Sequence, residues 1–387
     1  MFEHRAVFSA ICFDDETTPV ACRLQNLADG ATDDEKGQQL PDVQITSGRS
    51  TSSICLLTID TLSTTFTAST TAVFIILTFT MSNIAVAGGH GNVGRTLVEV
   101  LRASLPETTV FALGRKTPED AARKELSLAV DYSDVAATTK TLADNNIGTV
   151  ISAISVMDAT SSAAQLSLIE AAVQSGTVAR FIASDWGMEH STDSFLYPFR
   201  HAAIEALAKT SLQYTTVVNG YFLDFYGLPH VKSYLPPLGF AIDVKNKVAG
   251  IPGTGDDTIA VTYTFDVAAF VARLLSLDTW APTTYLYGDR LTLNELLALA
   301  EAARGAKFAV SYDSPASLAK NEITELPLHV AFYKMVPKPM VQGMMAMFGR
   351  WVLEGRFDVP VEKTLNVQFP EVKTSSAAEI VGKWKGH

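Results

Sequence analysis

The residue run most suited to chemistry is a cluster of glycines. Gly88-Gly89-His90-Gly91-Asn92-Val93-Gly94 satisfies both G-x-G-x-x-G and G-x-x-G-x-x-G. Glycines at this spacing let backbone N–H groups approach an anion with no side chain in the way, and a helix N-terminus there adds a favourable partial charge. A dinucleotide pyrophosphate is the ligand such a loop suits. Farther on, Gly114-Arg115-Lys116 stands where an NAD site usually carries Asp or Glu, with Arg115 placed 21 residues after Gly94. A guanidinium at that place can grip an adenosine 2′-phosphate bidentately, with Lys116 as a second positive charge, so NADP(H) is expected over NAD(H).

The surrounding pattern supplies the elements that must hold these groups. Asn83–Ala87 reads as an apolar strand leading into the glycines, and Val93, Leu97, Val100 and Leu101 fall on one face of the helix that follows. Thr109–Leu113 reads as the strand before Arg115, and Leu126–Val130, Thr149–Ile154 and Arg180–Ala183 continue the alternation. The fold class expected is α/β, a Rossmann-type doubly wound parallel sheet with a smaller C-terminal α+β substrate domain. Ligands of such sheets lie beyond the C-terminal strand ends, which places Asp131, Ser155 and Ser184 near the cofactor and Trp186 near the substrate.

Beyond Phe222, Pro229, Pro236 and Pro237 interrupt the regular order. Asp266 is expected to cap a helix over Val267–Leu274, while Thr292 with Glu295 and Ser376 with Glu379 fit capping boxes. Met335, Met340, Met344, Met345 and Met347 gather before Trp351, beside Phe348. Such a cluster suits a pocket wall for a bulky apolar ligand, ordinary core packing or a dimer contact. With Trp186, Tyr221, Phe222 and Phe225 the pocket would be apolar and aromatic.

Composition narrows the classes. The 387 residues are 47% hydrophobic with a formal charge of −11, a globular chain with no broad cationic surface for nucleic acid. Cys12, Cys22 and Cys55 all precede residue 81, so the remainder has no cysteine chemistry. No His-Glu-x-x-His occurs, and no metal is expected. From Thr46 to Thr80, 17 of 35 residues are Ser or Thr, and residues 1–80 are expected to be a disordered or non-domain leader. Leu62–Thr80 is uncharged, but its strongly apolar run, Ala72–Leu77, is too short to span a bilayer, so no anchor and a cytoplasmic setting are expected. Residues 81–220 should form the dinucleotide domain with contributions from about 250–290, and residues 221–387 mainly the substrate domain.

Taken together, GGHGNVG, LGRK, VISAIS, ARFIASDWG and QYTTVVNGYFLDF resemble the NmrA-like and isoflavone-reductase-like branch of the atypical short-chain dehydrogenases/reductases. The likeness runs from about Ser82 to the C-terminus and leaves residues 1–80 without a counterpart. It implies an NADP(H)-binding domain and a smaller domain that together form a cleft. Active members reduce small aromatic molecules by hydride transfer, whereas NmrA-like regulators bind the dinucleotide without known turnover. The family's reductases carry a lysine before the Tyr-Thr motif; counting back without gaps from Tyr214-Thr215, Arg200 stands there. Arginine keeps the charge but is a poor proton carrier. Two readings follow: a reductase of an apolar or aromatic substrate, with Arg200 as electrophile and Tyr197 or His201 as acid, or an NADP(H)-sensing regulator acting on a protein partner. A homodimer is compatible with either.

Overall fold

The computed structural model describes residues 82–120, 124–333 and 336–387, with three strands in the preceding segment. Those strands, Val7–Phe13, Pro19–Val20 and Ile54–Asp60, pair antiparallel. The chain divides into units 1–81 and 82–387. The expectations for Thr46–Thr80 fall largely outside the described residues, and Leu62–Thr80 does so entirely.

In the second unit the elements are β1 Asn83–Ala87, α1 Asn92–Ser104, β2 Val110–Gly114, β3 Ser127–Ala129, α2 Val135–Asp144, β4 Ile147–Ser152, α3 Ala159–Ser175, β5 Arg180–Ile182, α4 Tyr197–Leu207 and β6 Gln213–Val218. There follow β7 Tyr221–Phe222, β8 Ile242–Asp243, β9 Val248–Pro252, β10 Thr258–Thr262, α5 Thr264–Leu274, β11 Thr283–Tyr285, β12 Asp289–Thr292, α6 Leu293–Arg304, β13 Ala309–Asp313, α7 Lys338–Leu353 and α8 Ala377–Val381. Short helical turns join several of them.

Seven strands form one parallel sheet in the order β11-β6-β5-β4-β1-β2-β3. The order reverses between β1 and β4, so the crevice beyond their C-terminal ends is where this architecture takes ligands. The central strands are apolar without alternation, as a sheet covered on both faces requires, and β4 is buried at all six positions. On one face Leu97 and Leu101 of α1 pack against Val267, Phe270 and Val271 of α5. On the other, Leu142, Leu168 and Leu207 of α2, α3 and α4 pack with Phe181. A second core surrounds Tyr221, Phe240, Trp351 and Phe357, where two three-stranded sheets, β7-β10-β12 and β8-β9-β13, meet α6 and α7.

The capping boxes at Thr292 and Ser376 form as expected, each closed by the glutamate three residues on. Asp266 does not cap its helix. That helix begins at Thr264, whose backbone N–H and hydroxyl both donate to Asp224, at 2.9 and 2.7 Å. Asp224 is fully buried and reaches in from 40 residues upstream, a pairing no local pattern reveals. Asp266 lies in the first turn and accepts from the Ser375 backbone at 2.7 Å.

Burial raises the Asp266 carboxyl to about 6, against the pull of the Ser375 bonds. A carboxyl raised in the folded state favours folding while protonated, so its contribution is fully present below the unfolded carboxylate pKa of about 3.9 and is lost as pH rises through about 6. Asp266→Asn keeps an acceptor for Ser375 without the charge. It should therefore be more stable than the parent by about 1–3 kcal/mol at pH 7.5, with the advantage vanishing near pH 4, as read by urea melts at both pH values.

Candidate functional site

The turn between β1 and α1 is fixed by its own crowding. Gly88 has φ +75, and a Cβ there would come within 2.6 Å of the Ala153 carbonyl oxygen. At Gly94 a Cβ would lie 2.2 Å from the Gly88 carbonyl oxygen, and at Gly89 one would lie 2.9 Å from the Ala112 backbone. Gly91 differs, because its Cβ would meet nothing nearer than 3.7 Å. It is the N-cap of α1, offers no side-chain cap, and no acidic residue occupies the first turn. The amides of Asn92, Val93 and Gly94 find no acceptor among the described residues. These open donors face the sheet's C-terminal edge, the arrangement that receives a pyrophosphate.

Arg115 and Lys116 stand exposed just past β2, the neighbour of β1. His90 packs its ring over Gly114, where a Cβ would be 2.8 Å from its Cδ2. Asp131 is exposed after β3 and closes a local turn with the Ser133 N–H and hydroxyl at 2.9 and 2.7 Å. Beside it Tyr132 is buried; that burial pushes its hydroxyl up to about 12, while the Gly88 backbone and the Arg115 charge pull the other way. Ser155 is exposed after β4. Ser184, after β5, is buried, and its hydroxyl donates to the Ile154 carbonyl at 2.7 Å while its N–H meets Gln165 at 2.8 Å.

Arg200 projects from α4 into a nearly closed polar joint. Its Nε donates to the Val156 carbonyl at 3.3 Å, and its Nη1 lies 2.9 Å from both Asp185 Oδ1 and His190 Nε2. The guanidinium must be the donor to His190, so that ring is neutral with its proton on Nδ1, facing Ser194 Oγ at 2.9 Å. Burial, then the Arg200 and Arg356 charges, lower the His190 pKa to about 3. Burial also raises the Asp185 carboxyl, with Arg200 pulling against it. The joint continues into the second lobe. Trp351 Nε1 donates to Asp193 Oδ2 at 2.8 Å, Arg356 lies 3.1 Å from the same carboxylate, and the Trp351 and His190 rings meet edge to face at 5.3 Å. Asp193 would be raised by burial, yet hydrogen bonds from Ser191, Trp351 and Arg356 hold it near 2.

Tyr197 and His201 stand apart from this joint. Their rings stack at 4.5 Å, and His201 lies 3.7 Å from Glu205 with its side chain 36% exposed. The aromatic candidates fall into two groups. Trp186 and Phe222 are partly buried against the core under the sheet, with Trp186 Nε1 donating to the Ser152 carbonyl at 3.0 Å. Tyr221, Met344 and Phe348 belong to the second core, where the Tyr221 and Phe348 rings are 6.4 Å apart. Phe225 bridges the groups, 5.2 Å from Tyr221 and 6.2 Å from Phe222. Met340 is exposed, Met345 and Met347 are buried, and Met335 lies outside the described residues. Sequence reasoning missed Asp185, His190, Asp193 and Arg356. Their partners lie up to 167 residues away, and no spacing rule connects them.

A family profile described as NmrA-like matches residues 80–380. The oxidoreductase BOA1 of Botryotinia fuckeliana is 31% identical over 300 residues, which cover 76% of this chain and 96% of that protein. The oxidoreductase swnN of Metarhizium robertsii is 30% identical over 331 residues, covering 77% and 95%. Among solved structures, the NADPH complex of the quinone oxidoreductase QOR2 from Escherichia coli has a TM-score of 0.59 at 22% identity, over 77% of this chain and 98% of that one, a likeness of fold. Among the described residues no helix is long and apolar enough to cross a membrane, and no cluster suits a metal.

The two outer glycines and Gly91 should respond differently to a methyl group. Gly91→Ala should cost under about 1 kcal/mol of stability, while a ligand seated against this backbone would lose affinity. Gly94→Ala should cost several times more, because the clash is with backbone. Melting and dinucleotide titration of both variants check this; equal destabilisation would contradict the geometry.

Proposed function

The chain belongs to the NmrA-like family, and on that premise we propose that it is an NADPH-dependent reductase of a small apolar or aromatic substrate, of the enone, quinone, benzylic ether or carbonyl class. The observation that carries the reading is Gly91. It lacks a side chain where the protein's own packing would admit one, directly over three unpartnered amides. A ligand pressed against the backbone accounts for that absence. Gly88 to Gly94 would hold the pyrophosphate, Arg115 and Lys116 the 2′-phosphate, and His90, Asp131, Ser155 and Ser184 would border the adenosine and nicotinamide halves.

When bound, NADPH supplies a hydride from C4 of its nicotinamide. The chain's own part is orientation and charge. Arg200 is anchored through Nε and Nη1, and its Nη2 has no acceptor among the described residues. A guanidinium held this way offers a fixed positive group to a ribose hydroxyl or to a substrate oxygen gaining charge, and needs no reorganisation to do so. It stays protonated, so the proton would come through the half-exposed Tyr197 and His201 pair or from water. Trp186, Phe222 and Met344 would face the substrate, with Tyr221 and Phe348 packed behind them. The missing lysine and the burial of Arg200 against Asp185 favour the alternative, an NADP(H)-sensing regulator, which becomes an outcome of the same test.

NADPH oxidation against aromatic enones, quinones, carbonyls and benzylic ethers tests the reading; tight NADPH binding with no oxidation of any of them gives the regulator. Arg115→Ala should weaken NADPH by about 1.5–3 kcal/mol and leave NADH nearly unchanged, and equal losses would remove Arg115 from the 2′-phosphate.

Arg200→Met strands a buried carboxylate and should cost about 3–5 kcal/mol of stability, which confounds its effect on rate. Arg200→Lys keeps the charge beside Asp185 and separates the two roles. If the guanidinium fork matters, it should fold normally and lower turnover by about 10²-fold; unchanged turnover would show that any cation suffices.

A further inference from the structure

Between α1 and β2 runs a cleft of about 280 Å³ that begins at the glycine turn and whose α1 wall and rim have no role in the assignments above. Gly89 and His90 of the glycine turn form its upper end, Arg95, Glu99 and Arg102 of α1 one wall, and Tyr234 its rim. Most of its polar groups are already committed. Arg102 donates to the Val110 and Leu126 carbonyls at 2.9 and 3.1 Å, and the Glu99 carboxylate meets Lys232 and, at 2.6 Å, the Tyr234 hydroxyl. Arg95 is different. Its guanidinium lies over the Tyr234 ring, 3.9 Å from the centroid, and among the described residues it touches no carboxylate directly, although its charge reaches Glu99 through space. An arginine stacked on an aromatic face keeps its N–H edge available for a second, in-plane partner. The cleft also adjoins the β2 end, because the His90 ring that lines it packs on Gly114, the residue before Arg115.

We infer that Arg95 is a second guanidinium reading the adenosine 2′-phosphate, held in place by Tyr234 from outside the dinucleotide-binding half. This rests on the NADP(H) reading and deepens it. Arg115 approaches from the exposed strand end, and Arg95 from the cleft beneath His90. A phosphomonoester has three terminal oxygens and takes two arginines more readily than one. The segment carrying Tyr234 also holds Lys232, and its Ser233 donates to Asp224 at 2.6 Å, the carboxylate that caps α5. The 2′-phosphate would thus be gripped by a residue whose position depends on both lobes, and preference for NADPH would need the second lobe in place.

The test is a set of titrations of the full chain with NADPH, NADH and 2′,5′-ADP, which carries the 2′-phosphate without the nicotinamide. Arg95→Met should weaken NADPH and 2′,5′-ADP alike by about tenfold or more, with NADH within about twofold. Arg95→Lys, which keeps charge but stacks less well, should fall between, and Tyr234→Leu should reproduce part of the loss with Arg95 intact. Equal losses for NADPH and NADH, or no loss for either, overturn the role of Arg95 while leaving cofactor binding in place. If the unsubstituted chain binds neither NADPH nor 2′,5′-ADP, the NADP(H) reading itself fails and this inference with it. Melting curves accompany each titration, so that a variant that has lost its fold is recognised, and the Lys and Leu substitutions then carry the decision.

Discussion

Much of this protein depends on one close approach, the Gly94 backbone against the Gly88 carbonyl, where a Cβ would stand 2.2 Å from the oxygen. That contact seats the start of α1 on the turn that leaves β1. With the helix set so tightly, Leu97 and Leu101 drop into the core shared with α5, and both are fully buried. The same seating leaves three amides open at the sheet's C-terminal edge, beside the β2 end that carries Arg115. A packing requirement and a row of open donors therefore share one local geometry, and the methyl-free position between them, Gly91, is the point where the two can be told apart.

A second constraint ties the lobes. Asp185, Arg200 and His190 form a joint beyond β5, and Asp193 carries it to Trp351 and Arg356. Each charge is buried or half-buried and has a partner, which such groups require if they are not to be neutralised. His190 is kept neutral by burial and by the cation beside it, so it serves as an acceptor that orients Arg200. The joint makes the position of α7, with its methionines, depend on the same groups that hold Arg200. A shift of α7 would be felt at the guanidinium, a coupling that suits either a closing cleft or a sensor.

The sheet was legible from sequence because its strands are continuous apolar runs interrupted by glycine, and periodicity reports that directly. β1 falls where expected, β2 one residue later, and α1 carries its apolar face inward. The glycine turn and the basic residues after β2 were legible because their chemistry is local. The joint around Arg200 was not: an ungapped count marked the position, but only the fold reveals that Asp185 and His190 claim the side chain. Asp224 escaped notice for the same reason, since it caps a helix 40 residues away and displaced the role expected of Asp266. The second lobe was read only as aromatic and methionine-rich; which residues face a pocket and which fill a core depends on packing between segments far apart in the chain.

Hydride transfer from NADPH to an apolar acceptor, as proposed for this chain, can be followed by isotope labelling. NADPH deuterated on one or the other face of nicotinamide C4, incubated with the protein and with enone, carbonyl and benzylic ether acceptors, whose products keep the hydride on carbon, should yield product carrying the label in proportion to NADPH consumed, and from one face of the ring only. Saturable NADPH binding with no label in any product would contradict the claim and leave a dinucleotide-binding regulator in its place.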